Sequence, residues 1–326
     1  MKIAVIDDYQ DAFRNLECYA NLKGHEVVVF NDTAKDPAKL AERLKDADIV
    51  LLTQQRSRFP RAVVEHLPKL KLISQTGGNI AHIDKAACTE RGVLISGAGR
   101  GNPNPTAELT WSLILSALRS IPYEVQRLKE GHWQSTVGDS VKGKTLGVYA
   151  FGKIGSVVAK VGKAFEMRVV CFGREASTAR AREAGFDVAG SRDEFFSSAD
   201  VLTLHLPLNP ETRGIVKRAD LARMKPAALI VNTSRAPLIE EGALVEALKE
   251  GRPGRAAVDV YEDEPVLGAN HPLIKMPNVV CTPHLGYVEA GNYSSIYATA
   301  VDNIVAFIAG KPINVLNPEV LQKDKK

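Results

Sequence analysis

The run Gly147-Val148-Tyr149-Ala150-Phe151-Gly152-Lys153-Ile154-Gly155, near the middle of the chain, leads into a long segment with an apolar face. It reads as a strand, a tight turn and a helix N-terminus. Glycine serves two physical ends in such a turn: without a Cβ the backbone can approach an anion, and the helix can pack closely against the strand. The unbonded N–H groups of the first helical turn then face the ligand. That arrangement suits a dinucleotide diphosphate. It also suits an ordinary tight strand-to-helix turn, because Ala150 stands where the usual fingerprint has its first glycine.

The surroundings of this run narrow the fold. Short apolar runs alternate with helix-length amphipathic segments, which argues for parallel sheets with crossover helices, the α/β class. Strands are expected at Ile3 to Ile6, Val27 to Phe30, Ile49 to Leu52, Leu70 to Ser74 and Val93 to Ser96. A second series runs through Leu146 to Tyr149, Arg168 to Phe172, Val201 to Leu204, Leu229 to Asn232, Ala256 to Val258 and Val279 to Thr282. Between the two series, Gly97-Ala98-Gly99-Arg100-Gly101-Asn102-Pro103-Asn104-Pro105 disfavours regular structure and reads as a linker or a domain boundary, and as a hinge. The helix expected over Thr106 to Ser120 is apolar on more than one face, which points to a subunit contact. An amphipathic segment from Val288 to Ala309 is long enough to return the chain to the first domain, and Lys323 to Lys326 read as a frayed tail.

With 326 residues and 45% hydrophobic content, the chain can bury a large core in two domains. A formal charge of +4, spread along the chain, leaves no footprint for nucleic acid or a membrane surface. The N-terminal run Met1-Lys2-Ile3-Ala4-Val5-Ile6-Asp7 reads as a buried strand rather than a signal peptide. No apolar run approaches the ~18 residues of a membrane span, so a cytoplasmic location is expected. Cys18, Cys88, Cys171 and Cys281 lie far apart without a C-x-x-C pairing, so neither a disulfide framework nor a metal site is expected.

Three polar clusters follow expected strand ends, where open parallel sheets place their ligand crevice. Val231-Asn232-Thr233-Ser234-Arg235 supplies an arginine suited to two-point contact with a carboxylate, although a lone loop arginine is more often only solvated. Asp259-Val260-Tyr261-Glu262-Asp263-Glu264-Pro265 is either a site or a solvated acidic loop. In Thr282-Pro283-His284-Leu285-Gly286, His284 is either a structural histidine or a proton-transfer group.

Taken in order, the glycine turn, Leu204-His205-Leu206-Pro207-Leu208, Met224-Lys225-Pro226, Asn232 to Arg235, Asp259-Val260-Tyr261 with Glu264-Pro265, and Thr282-Pro283-His284 resemble one family over essentially the whole chain. It is the D-isomer-specific 2-hydroxyacid dehydrogenase family, in a branch similar to glyoxylate/hydroxypyruvate reductases or phosphoglycerate dehydrogenases. The run Leu285-Gly286-Tyr287-Val288 after the histidine looks less like the phosphoglycerate enzymes with long regulatory tails. The resemblance implies two Rossmann-like domains. A flavodoxin-like substrate domain would comprise 1–100 completed by 286–326, and a doubly wound dinucleotide-binding domain would comprise 101–285.

By the same resemblance, Arg235 binds the substrate carboxylate and polarises its carbonyl, His284 exchanges the proton, and Glu264 partners His284. Gly77, Gly78 and Asn79 contact the substrate carboxylate, with Arg56 either a further contact or a solvated loop residue. Phe151, Gly152, Lys153, Ile154 and Gly155 surround the diphosphate, with Thr106, His205, Pro207, Thr233 and Asp259 elsewhere along the dinucleotide. Many NAD-using relatives end the second strand with an Asp that binds the adenosine ribose, whereas this chain reads Val170-Cys171-Phe172-Gly173-Arg174-Glu175. Gly173 and Arg174 favour NADP(H); Glu175, turned inward, would favour NAD(H). Ala236 replaces the glycine usual after the arginine. The implied activity is hydride transfer between a nicotinamide cofactor and a 2-oxo or D-2-hydroxy acid, with a homodimer built on the cofactor domain. The alternatives are formate or phosphite oxidation, disfavoured by Glu264 where formate-type sites carry Gln, and a non-catalytic dinucleotide-sensing corepressor.

Overall fold

Unbroken Val/Ile/Leu runs form strands covered on both faces, and in the computed structural model, which describes residues 1–99 and 101–323, they build two parallel sheets. The chain divides into two compact units. One comprises Met1–Asn102 and the residues from Ala290 onward; the other is Pro103–Glu289.

The first unit contains β1 (Lys2–Ile6), β2 (Glu26–Val29), α1 (Pro37–Leu44), β3 (Ile49–Leu52), α2 (Arg61–Val64), β4 (Leu72–Gln75), α3 (Lys85–Glu90) and β5 (Leu94–Gly97). Its strands lie in the order β2-β1-β3-β4-β5, all parallel, which is the flavodoxin-like arrangement. Strands β3, β4 and β5 are buried along their whole length. Two helices begin with an Asp cap: Asp36 accepts from Lys39 N at 2.9 Å and Asp84 from Ala87 N at 2.8 Å.

The second unit contains α4 (Pro103–Leu118), α5 (Ile121–Lys129), β6 (Thr145–Tyr149), α6 (Lys153–Ala164), β7 (Arg168–Phe172), α7 (Glu175–Glu183), β8 (Asp187–Val188), α8 (Arg192–Ser198) and β9 (Val201–Leu204). It continues with α9 (Arg218–Arg223), β10 (Leu229–Asn232), α10 (Ala243–Lys249), β11 (Arg255–Val258) and β12 (Val279–Cys281). Seven parallel strands run β12-β11-β10-β9-β6-β7-β8. A core lies on each face of this sheet, one around Phe195, Leu202, Leu221 and Ile230, the other around Trp111, Ile114, Val158 and Val231.

The chain then returns to the first unit with α11 (Ala290–Ile308) and α12 (Val320–Lys323). Tyr297 of α11 shares a buried hydroxyl bond with Thr53 at 2.8 Å, and Ser74 Oγ donates to Ala300 O at 2.8 Å. Beyond α11, the chain seals the open edge of β5. Leu316 N donates to Ile95 O at 2.8 Å and Gly97 N to Asn314 O at 3.0 Å. Asn317 accepts from Ile95 N at 2.7 Å and donates to Val93 O at 2.8 Å.

Three expectations are corrected. The stretch read as a linker or domain boundary does contain the division between the units, at Asn102 and Pro103, but it is partly regular, since Gly97 ends β5 and Pro103 and Pro105 open α4; proline is tolerated in a first helical turn, where its missing N–H has no intrahelical partner. Arg100, in that stretch, lies outside the described residues. The apolar surplus of Thr106 to Ser120 is consumed inside the unit: Trp111, Leu113, Ile114 and Leu118 are buried, and Trp111 Nε1 donates to Val158 O at 3.2 Å. The exposed apolar surface lies instead on α5, none of whose residues is buried, and on the segment after it. Lys323 ends α12 rather than a frayed tail, and 324–326 lie outside the described residues. The four cysteines are free, and Cys18, Cys88 and Cys171 are buried. Among the described residues no helix is long and apolar enough to cross a membrane.

His82, in the loop after β4, has both ring nitrogens buried without a hydrogen-bond partner among the described residues. Burial pushes its pKa from 6.5 down to about 4. The unfolded chain takes up this proton near pH 6.5 while the folded chain resists it, so the neutral ring's contribution is whole above pH 6.5 and is lost as pH falls toward 4. At pH 5 the expected loss is about 2 kcal/mol. His82→Leu should flatten the fall in unfolding free energy between pH 7 and 5 by that amount in denaturant titrations. An equal fall in both proteins would place the sensitivity elsewhere.

Candidate active site

At the carboxyl end of β6 the chain makes the tight turn that glycine usually permits. Ala150 takes it with φ +77°, in the left-handed region, and its N–H donates to Phe172 O at 2.8 Å. Gly155 is required by contact: a Cβ there would lie 2.3 Å from Ala150 O. At Gly152 a Cβ would meet nothing within 4 Å, and no side chain caps α6. The first-turn amides of a twelve-residue helix thus open on free space beside a strand end, where the helix dipole favours an anion. These residues fit a dinucleotide diphosphate.

The second strand end is shaped by Gly173, with φ +155°. Arg174 is 80% exposed on its side chain, with Glu211 at 3.9 Å. Glu175 does not turn inward as the NAD(H) reading would require; its side chain is 83% exposed and pairs with Arg182 at 3.1 Å. A cation therefore stands at this corner beside a residue without a side chain.

His205 follows β9, the neighbour of β6, and its backbone N–H donates to Tyr149 O at 3.0 Å. Its Nε2 lies 3.0 Å from Thr203 Oγ1, and burial pushes its pKa down to about 3, which keeps the ring neutral. Pro207 is exposed, and its carbonyl accepts from Thr212 Oγ1 at 2.6 Å. Thr110 on α4 links two expected cofactor residues: its hydroxyl lies 2.8 Å from Thr233 Oγ1 and donates to Thr106 O at 2.8 Å. Thr106 Oγ1 in turn donates to Gly286 O at 2.8 Å.

Arg235, Glu264 and His284 follow β10, β11 and β12, three adjacent strands whose ends lie side by side. The Arg235 turn is built by Asn232, whose amide donates to Arg235 O at 2.9 Å and accepts from Ser234 N at 3.0 Å. Ser234 Oγ donates to Leu206 O at 2.6 Å. Arg235 is half-buried, with Nη1 donating to Ser234 O at 2.7 Å.

Glu264 Oε2 lies 2.7 Å from His284 Nδ1, and Glu264 Oε1 accepts from Tyr261 N at 2.9 Å. Both carboxylate oxygens are engaged, and the imidazole is held at Nδ1. The His284 backbone has φ +54°, an uncommon conformation for histidine.

Asp259, fully buried, holds that loop. Its Oδ1 accepts from Thr282 Oγ1 at 2.6 Å and Leu285 N at 2.7 Å, and its Oδ2 from Gly286 N at 2.9 Å. Burial raises its pKa, opposed by these donors and by His284. Sequence reasoning set Asp259 along the dinucleotide and missed this clamp; its only signal was an acid directly after an apolar strand. Tyr287, also passed over, sets its ring edge-on to His284 with centroids 5.7 Å apart.

The remaining expected residues lie in the first unit. Gly77, Gly78 and Asn79 follow β4; a Cβ on Gly78 would meet nothing within 4 Å, and Asn79 Oδ1 accepts from Ala81 N at 3.0 Å. Arg56 follows β3, and its charge opposes the burial that raises the pKa of Asp7 at the end of β1.

Residues 111–286 match the family model described as D-isomer specific 2-hydroxyacid dehydrogenase, NAD binding domain. The glyoxylate reductase of Aeropyrum pernix is 34% identical over 311 residues, 92% of each chain. The D-3-phosphoglycerate dehydrogenase of Methanocaldococcus jannaschii is 39% identical over 88% of this chain, which spans about half (53%) of that protein. Among solved structures, a phosphoglycerate oxidoreductase from Vibrio cholerae O395 superposes with a TM-score of 0.92 at 47% identity, covering 95% of this chain and 99% of its own. With its glycine turn after β6 and its polar loops after three adjacent strands, the chain belongs to the D-isomer-specific 2-hydroxyacid dehydrogenase family, oxidoreductases that transfer a hydride between a nicotinamide cofactor and a 2-hydroxy acid.

Proposed function

We propose that this protein reduces a small 2-oxo acid to the D-2-hydroxy acid, with Arg235, Glu264 and His284 as its catalytic trio. The observation that carries the reading is the 2.7 Å contact between Glu264 and His284 on the strand ends next to Arg235. Names of relatives point the same way, among them the glyoxylate reductase of A. pernix and the hydroxypyruvate reductase of Blautia hydrogenotrophica, 31% identical to this chain.

The Phe151–Gly155 turn, with Gly173 and Arg174 at the ribose end, would hold a nicotinamide cofactor, which would supply the hydride when bound. The rest of the chemistry belongs to the side chains. Negative charge grows on the carbonyl oxygen during reduction, and a guanidinium and an imidazolium beside it stabilise that charge. Arg235 binds the substrate carboxylate through a planar fork and polarises the carbonyl. His284 donates the proton from Nε2, while the Glu264 carboxylate orients the ring and favours its charged form. Gly77, Gly78, Asn79 and Arg56 are proposed as further substrate contacts.

With glyoxylate, hydroxypyruvate and pyruvate as trial substrates, His284→Ala and Arg235→Ala should each lower turnover by roughly two to four orders of magnitude. Near-normal turnover in either folded variant would remove that residue from the trio. Glu264→Gln tests the pair by pH. Removing the carboxylate weakens support for imidazolium, so reduction should fail at a lower pH than in wild type, and oxidation should set in at a lower pH. Profiles that do not move would detach Glu264 from His284.

NADP(H) is the proposed cofactor, because a guanidinium stands at the ribose corner and Glu175 is engaged by Arg182. Since Arg174 is widely exposed, kcat/KM should favour NADPH by about tenfold to a hundredfold, and Arg174→Ala should erase most of that bias. A wild-type preference for NADH would sink the assignment. Gly173→Asp is a poor complement, because Gly173 has φ +155° and a Cβ there would lie 3.2 Å from Ser177 Oγ.

A homodimer is proposed through α5 and the segment after it, where Leu128 and Trp133 are 58% and 77% exposed. Exposed large apolar side chains gathered on one segment suit an interaction surface. Light scattering should give twice the chain mass, and Leu128→Glu with Trp133→Glu should give the monomer. A monomeric wild-type protein would overturn the proposal.

A further inference from the structure

We propose that Arg180 and Ser177, on α7, are positioning residues for the diphosphate cradle, acting through the two peptide groups of Phe151; this rests on reading the Phe151–Gly155 turn as the cofactor's diphosphate site. Both polar atoms of the Phe151 backbone are taken by one helix. Its N–H donates to Ser177 Oγ at 2.7 Å. Its carbonyl accepts from Arg180 twice, from Nε at 3.4 Å and Nη2 at 3.2 Å. Residues three apart share a helix face, so Ser177 and Arg180 reach the same stretch of chain together.

The turn needs such a hold. Ala150, directly before Phe151, is an L residue at φ +77°, and a backbone of that kind persists only where its surroundings over-determine it. Besides the bond from Ala150 N to Phe172 O and the packing of Phe151 on Phe186, with centroids 5.4 Å apart, the three bonds from α7 supply that constraint.

The grip has an electronic consequence as well. The Phe151 carbonyl and the Gly152 N–H belong to one planar peptide group. A guanidinium donating to that oxygen draws electron density toward it, and the Gly152 N–H at the mouth of α6 becomes a stronger donor. The charge of Arg180 thus reaches an anion through the peptide, without contact. Helix α7 also follows directly on Gly173 and Arg174, and a Cβ on Gly173 would lie 3.2 Å from Ser177 Oγ. The ribose corner and the diphosphate turn are therefore braced by a single helix.

ADP-ribose, which carries the diphosphate without the nicotinamide, is the probe, titrated calorimetrically into the full chain and its Arg180→Ala, Arg180→Lys and Ser177→Ala variants. Arg180→Ala should bind it about tenfold more weakly, the scale of one lost charge-assisted hydrogen bond. Arg180→Lys should fall between, because lysine keeps the charge and loses the fork. Ser177→Ala should lose about threefold or more. The KM for cofactor should rise in step, with kcat at saturating cofactor within about twofold of wild type. Affinities within about twofold of wild type in all three variants would overturn the clamp, as would a fall in melting temperature and kcat without a selective loss of ADP-ribose affinity. Should Arg180→Ala not fold, Arg180→Lys and Ser177→Ala decide by the same measures. Failure of the wild-type chain to bind ADP-ribose would instead overturn the diphosphate reading on which the clamp rests.

Discussion

Parallel pairing obliges every strand of a sheet to start at one edge and finish at the other, and each must be followed by a crossover. In the seven-stranded sheet this brings Asn232, Val258 and Cys281 level with one another at the ends of β10, β11 and β12. The strands have no freedom left to do chemistry, because their amides are paired and their side chains fill the two cores. Every polar group that acts must stand on the loops beyond that edge. A loop lacks the ladder that holds a strand, so those here are fastened by polar side chains of a strand end, a neighbouring loop or a helix.

Those fastenings are polar side chains, buried at Asn232, Asp259 and Ser177 and exposed at Arg180. Asn232 ties the Arg235 turn, Asp259 ties the His284 loop through three donors, and Ser177 with Arg180 ties the glycine turn. Each fixes backbone rather than substrate. Two of the held segments contain non-glycine residues at positive φ, Ala150 and His284. Strain of that kind survives where neighbours outvote it, which is the ordinary condition of a preorganised site.

The strands were legible because fully buried parallel strands read as continuous apolar runs, and Ile49–Leu52, Val201–Leu204 and Leu229–Asn232 fall where such runs occur. Strand β8 escaped notice: two residues, Asp187 and Val188, make no run. The start of α4 was hidden by Pro103 and Pro105, which signal a break by composition yet fit a first turn by geometry. Arg235, Glu264 and His284 could be named from the order of motifs along the chain. Their fastenings could not, because periodicity reports which face a residue occupies and says nothing of which amide its side chain meets. The outward pairing of Glu175 with Arg182 is of this kind: their seven-residue spacing allows it, and only the fold decides it.

The sealing of β5 by Asn314 to Asn317 bears on how the chain is made. The first hundred residues leave the ribosome early, yet the unit they belong to lacks α11 and the segment that covers its open edge until the last part of the chain follows. An uncovered parallel edge is a template for mispairing. The 187 residues of the intervening unit, from Pro103 to Glu289, are contiguous and can close first. Closure of the β5 edge therefore depends on residues more than two hundred positions further along the chain, whereas the intervening unit is contiguous.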